Sequence, residues 1–212
     1  MDSRIFIRHD DACALIVNMK CGYSTVNRAL VKGLETPVAR VSAKPRQDLA
    51  AVDERILFVR HPVDRFVSYY KDKVIRRKRE RARATKADWD FEARWMEKAD
   101  LDRLKAAGAD EAASRDFFNF YVSAIGPAFW ENRHTVPQWA ILQGLRMTVS
   151  DVSMKDYREN LAVLKDRFGV DAGVRNVSKS VGVSDALPFR DLAERFCEVF
   201  YARDYDMFGQ AF

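Results

Sequence analysis

The sequence predicts an α/β fold, a central parallel sheet flanked by helices on both faces. Short apolar runs of strand length alternate with longer segments of helical spacing, the pattern of strand–helix–strand units. Two of the runs end in turns that lead directly into a helix. At 212 residues, 48% hydrophobic and 32% charged, the chain is long enough for one core and ordinary for a globular protein. We read residues 1–212 as a single domain.

The elements follow in order. Arg4–Arg8 and Ala12–Met19 read as two strands pairing around His9-Asp10-Asp11. A helix from Ser24 runs to Lys32, with Gly33 as its C-cap. Pro37–Ser42 is a short strand, and Lys44–Asp48 a turn or loop. Arg55-Ile56-Leu57-Phe58 is an apolar run and reads as a buried strand over residues 55–60. Pro62 stops it and suits the first turn of a helix. Residues 62–83 hold no Gly and no internal Pro, so the helix is long. Further helices are expected from Trp89, capped by Asp88, to about Ala107, from Glu111 to Ala124, from Met154 to Phe168, and from Pro188 to Tyr201, with Leu145–Val149 as a strand.

Two turns carry the chemistry. Arg60 stands at the carboxyl end of a strand, beside a helix start, where open α/β sheets bind ligands and anions are favoured. Ser68 lies eight residues on, about two helical turns, and a guanidinium and a hydroxyl can close on one phosphate. A strand-to-helix corner whose Arg pairs with a local carboxylate fits the same residues. The second turn is Lys20-Cys21-Gly22-Tyr23-Ser24-Thr25, between the strand Ala14–Met19 and a helix. Such turns cradle phosphates through backbone amides. The Lys precedes the Gly, so the spacing of a nucleoside-triphosphatase loop is absent.

Taken together, Lys20–Thr25 and Arg60-His61-Pro62-Val63-Asp64-Arg65-Phe66-Val67-Ser68-Tyr69-Tyr70 resemble the two cofactor loops of sulfotransferases that use 3′-phosphoadenosine 5′-phosphosulfate. The likeness is nearest to the carbohydrate sulfotransferase branch, sulfotransferase family 2-like. His134-Thr135-Val136-Pro137-Gln138 resembles that branch's His-x-x-Pro-Gln element, and Phe200–Gly209 its closing segment. The resemblance implies a P-loop-like three-layer α/β/α domain. It also implies an enzyme that moves a sulfuryl group from that donor to a hydroxyl of a carbohydrate or glycoconjugate, with no metal.

Sulfuryl transfer resembles phosphoryl transfer, where positioning and charge stabilisation dominate. On the resemblance, Lys20 answers charge on the leaving phosphate oxygen. Cys21, Gly22, Tyr23, Ser24 and Thr25 hold the 5′-phosphosulfate, and Arg60 and Ser68 grip the 3′-phosphate. Cys21 and Tyr23 depart from many members of the family. Of the three histidines, His9 falls in a turn and His61 reads as structural, which leaves His134 as candidate base. Glu35 and Glu131 are rival carboxylates. Gln138, Asn176 and Ser178 are candidates for holding acceptor hydroxyls, and Lys179 joins Asn176 and Ser178 in a loop that would close over the cofactor.

Residues 71–86 hold nine Lys and Arg against Asp72 and Glu80, whereas the whole chain carries only +5. The basic excess is therefore local. It fits a solvated helix face, a surface for an anionic acceptor, or nucleic acid. No nucleic-acid motif accompanies it, so a nucleic-acid partner is not expected. A nucleotide kinase and a non-catalytic polyanion-binding module are the alternatives, but a phosphate-loop Lys after the second Gly and a magnesium-binding acid are both missing from view. Cys13, Cys21 and Cys197 show neither metal spacing nor a disulfide framework and fit a reducing compartment. Animal carbohydrate sulfotransferases usually carry a Golgi anchor and stem. The sequence shows neither, and the expectation is a cytoplasmic, bacterial enzyme.

Overall fold

Arg4–Arg8 (β1), Cys13–Val17 (β2), Ala39–Val41 (β3), Glu54–Val59 (β4) and Ser153–Asp156 (β5) form one five-stranded sheet in the order β3-β1-β2-β4-β5. The structure, a computed structural model, describes residues 4–32, 37–76, 103, 110–172 and 187–212. They fall in two compact units, Met1–His61 with Pro137–Ser178 and Arg203–Phe212, and Pro62–Val136 with Lys179–Ala202.

The sheet belongs to the first unit. β2 pairs in parallel with β4, and β4 with β5, but β1 runs antiparallel to both β2 and β3. The parallel sheet expected from the alternation of elements is therefore mixed. The reason is local: only four residues join β1 to β2, and a link that short permits only antiparallel pairing. Asp11 makes the reversal with φ 59°, and its amide donates to the Arg8 carbonyl at 3.0 Å.

Strand residues alternate between two apolar clusters. Phe6, Leu15, Val17, Ile56 and Phe58 pack with Val26 of helix Tyr23–Asn27 (α1) and with Val163, Leu164 and Phe168 of helix Asn160–Phe168 (α6). Ile5, Ile7, Ile16, Leu57 and Val59 pack with Leu49 of helix Pro45–Ala50 (α2), with Ile141, Leu142 and Leu145 of helix Trp139–Leu145 (α5), and with Phe208 of helix Ala202–Phe208 (α8). Period-2 side chains on a sheet buried on both faces give this division.

Three further expectations are corrected. Lys44–Asp48 is not a turn, since Pro45 opens α2 from the first helical position, where its missing N–H costs nothing. Leu145–Val149 is not a strand: Leu142 and Leu145 complete the core face of α5, and Arg146 ends it at φ 53°. The helix expected from Met154 starts at Asn160, after β5 and a tight turn at Tyr157–Glu159. β5 has the sequence Ser-Met-Lys-Asp and buries none of its four residues fully, so it gives no apolar run.

In the second unit, helix Pro62–Tyr69 (α3) continues as a wider π-type turn through Tyr70–Arg76. Helix Glu111–Ile125 (α4) is capped by Asp110, which accepts from the Ala113 amide at 2.8 Å. Helix Arg190–Phe200 (α7) completes the unit. Phe66, Tyr70, Phe118, Tyr121, Phe129 and Tyr201, all 1% exposed or less, form its aromatic core. The Asp88–Ala107 helix, the Gly33 C-cap and most of the basic run lie outside the described residues, as does Glu35. Among the described residues no helix is long and apolar enough to cross a membrane.

Candidate functional site

β2 and β4 lie side by side in parallel, with Val17 opposite Phe58. Their chains therefore leave the sheet at the same edge, the carboxyl edge where open α/β folds bind ligands. After β2 comes the loop Asn18–Gly22, which holds two left-handed residues, Lys20 at φ 70° and Gly22 at φ 84°. Gly22 is the N-cap of α1, and no side chain caps this helix. Two features favour glycine there. Its φ disfavours any L side chain, and a Cβ would stand 2.5 Å from the Asn160 amide nitrogen. Thr25 and Val26 both donate to the Gly22 carbonyl, at 3.0 and 3.1 Å, so the turn into α1 is tightly wound.

Arg60 follows β4. Its Nη1 donates to the Lys20 carbonyl at 3.0 Å, which ties the two loops together. The guanidinium carbon sits 4.5 Å from the ring centroid of Tyr157, within the range of a cation–π contact. Asp156, at the end of β5, adds negative charge nearby. Burial raises its pKa, but hydrogen bonds from Arg158 and the charges of Arg158 and Arg60 outweigh that and hold the carboxyl below its ordinary range. Two buried donors at these strand ends find no partner among the described residues: Asn18 Nδ2 and Arg60 Nε. Buried donors in native proteins are nearly always satisfied, and these two stand at the ends of neighbouring strands.

The expected loop residues differ in what they present. Ser24 is exposed and Thr25 half-buried, whereas the Cys21 side chain is fully buried in the core and its backbone amide already donates to the Asn18 carbonyl at 3.1 Å. The Tyr23 ring packs 6.0 Å from that of Phe6. Gln138 departs from expectation. It is 1% exposed, its Oε1 accepts from the Arg60 amide at 2.9 Å and its Nε2 donates to the Arg60 carbonyl at 2.8 Å. An amide so engaged is not offered to an acceptor hydroxyl. His61 fits its structural reading, with the Tyr205 and Phe212 rings edge-on at 5.5 and 5.4 Å.

Ser68 and His134 belong to the second unit. Ser68 is a half-buried residue of α3. His134 is half-buried, its ring stacks at 6.2 Å on Tyr69, and its amide donates to Asn132 Oδ1 at 2.9 Å. The Tyr69 hydroxyl in turn shares a 2.6 Å hydrogen bond with that of Tyr121. Asn176, Ser178 and Lys179 lie outside the described residues. Sequence reasoning missed Tyr157, Asn160 and Asp204. The first two fell inside a segment read as continuous helix. Asp204 lies in the closing segment, where no local pattern distinguishes it.

Residues 21–168 match the model of the sulfotransferase family. No curated protein and no solved structure gives a significant match to the chain.

Proposed function

The chain belongs to the sulfotransferase family, and on that premise we propose that it moves a sulfuryl group from 3′-phosphoadenosine 5′-phosphosulfate to a hydroxyl of a carbohydrate or glycoconjugate. The observation that carries this reading is the hydrogen bond from Arg60 to the Lys20 carbonyl, 3.0 Å long. It ties together two loops 40 residues apart that resemble the two cofactor loops of the family. Asn18 Nδ2 and Arg60 Nε, buried and without a partner among the described residues, suit a phosphate ligand, whose oxygens only accept.

When bound, the donor supplies an activated sulfuryl group on a phosphate oxygen. The Lys20 ammonium stabilises the charge left on that oxygen as its bond to sulfur breaks. The backbone amides of Gly22 and Tyr23 and the hydroxyls of Ser24 and Thr25 hold the 5′-phosphate, while Cys21, its amide bonded to the Asn18 carbonyl, shapes the turn. Arg60 holds the 3′-phosphate, with its guanidinium carbon 4.5 Å from the Tyr157 ring centroid. The resemblance gives Ser68 a share in the 3′-phosphate and gives His134 the acceptor proton, released as the new sulfur–oxygen bond forms. Asn176 and Ser178 are the remaining candidates for the acceptor.

Calorimetry with adenosine 3′,5′-bisphosphate tests the cofactor half. Arg60→Ala should weaken binding about tenfold or more, the worth of one charge-assisted hydrogen bond; unchanged affinity refutes the role of Arg60. His134→Ala should abolish turnover and keep bisphosphate binding, whereas retained turnover moves the base to a carboxylate.

A further inference from the structure

Gln138, through its side chain and its backbone amide, joins four distant segments of the chain. Gln138 Oε1 accepts from the Arg60 backbone amide at 2.9 Å and from the Cys21 thiol at 3.3 Å. Its Nε2 donates to the Arg60 carbonyl at 2.8 Å. The Gln138 backbone amide donates to Asp204 Oδ2 at 2.9 Å, and the Trp139 amide to Asp204 Oδ1 at 2.8 Å. Gln138 is 1% exposed and Asp204 and Cys21 are 0%. Cys21 and Arg60 stand 117 and 78 positions from Gln138 in sequence, and Asp204 stands 66.

A buried primary amide that both accepts from and donates to one residue's backbone acts as a strand partner for that residue. It fixes the main chain of Arg60 just past β4, where no sheet hydrogen bond is available. The same oxygen holds Cys21, at the turn of the Lys20 loop. A fully buried carboxylate carries a large desolvation cost unless donors surround it. Asp204 meets that cost with two backbone amides at the start of α5, and so fixes where Gln138 stands.

We propose that Gln138, anchored by Asp204, is a positioning residue that sets the register between the Lys20 loop and Arg60, and so the spacing of the two phosphate subsites. This rests on the reading of those loops as a nucleotide site. It replaces the acceptor-binding role that the sequence suggested for Gln138.

The test uses the full chain and two readouts. The first is hydrogen exchange at the Arg60 amide, compared with that of Leu57 in β4. Gln138→Leu should speed exchange at Arg60 about tenfold relative to Leu57, because one buried hydrogen bond is lost; an unchanged ratio overturns the proposal, with or without any nucleotide. The second is the dissociation constant for adenosine 3′,5′-bisphosphate, which should rise about tenfold in Gln138→Leu; an unchanged constant also overturns it. If the unaltered protein binds no bisphosphate, the sulfotransferase reading fails, and the exchange ratio alone decides whether Gln138 holds Arg60. Should Gln138→Leu not fold, Gln138→Met, which keeps the length of the side chain and removes both its donor and its acceptor, takes its place with the same two readouts. A faster relative exchange at Arg60 and a several-fold weaker bisphosphate affinity support the proposal, and an unchanged value of either overturns it.

Discussion

The carboxyl edge of the sheet and the aromatic core of the second unit bury their side chains on opposite terms. At the sheet edge Asn18, Gln138 and Asp204 are 2% exposed or less, and all are polar. Around Phe66, six ring centroids lie between 4.9 and 6.5 Å away, and the surface removed from water is mostly apolar. Apolar burial stabilises directly, whereas a buried polar group does little better than break even once its hydrogen bonds are made. The first region therefore fixes positions and the second supplies stability. Substitutions in one should move affinity more than stability, and in the other the reverse.

Phe66→Ala should give the largest effect on stability. Truncating a buried phenylalanine typically costs about 3–5 kcal/mol, to be read as a fall in the urea midpoint at unchanged slope. A loss below about 1 kcal/mol would mean that the rings around Phe66 close the gap. Gly22→Ala should cost less, about 1–2 kcal/mol for the left-handed backbone, plus the displacement of Asn160. Because the strain sits inside the phosphate turn, its bisphosphate affinity should fall more than thermal unfolding alone suggests. Tyr157→Leu keeps bulk and removes the ring beneath Arg60, and should weaken bisphosphate binding by about 0.5–2 kcal/mol with little change in melting temperature.

The smallest effect concerns a surface pair. Arg115 donates twice to Asp191, at 2.7 and 2.8 Å. Chiefly through those hydrogen bonds, the Asp191 carboxyl drops from 3.8 to about 2. A carboxyl depressed on folding contributes stability that is present above its unfolded value and is lost as pH falls through the folded one. Asp191→Asn should thus flatten the acid side of a melting curve series between pH 4 and about 2, and leave neutral stability slightly lower. An identical acid limb would show that solvent screens the pair completely.

Parts of this organisation are legible from residues alone. The β1–β2 hairpin, the Lys20–Thr25 turn, the Arg60 corner and α4 all rest on patterns within about a dozen residues. β5 was missed because an edge strand with no fully buried residue has no apolar signature. α2 was missed because Pro45 marks a turn and a helix start equally well. The roles of Gln138 and Asp204 were hidden for another reason. Their partners lie 66 to 117 positions away, and no local periodicity reports a pairing that only the fold creates.

The central claim is that the Lys20–Thr25 turn and Arg60 serve one nucleotide. A crystal structure of the protein soaked with adenosine 3′,5′-bisphosphate tests it most directly. The expected result is one phosphate against the backbone of residues 20–25 and the other against the Arg60 guanidinium. A nucleotide seated away from both loops, or density at neither at saturating concentration, would contradict it.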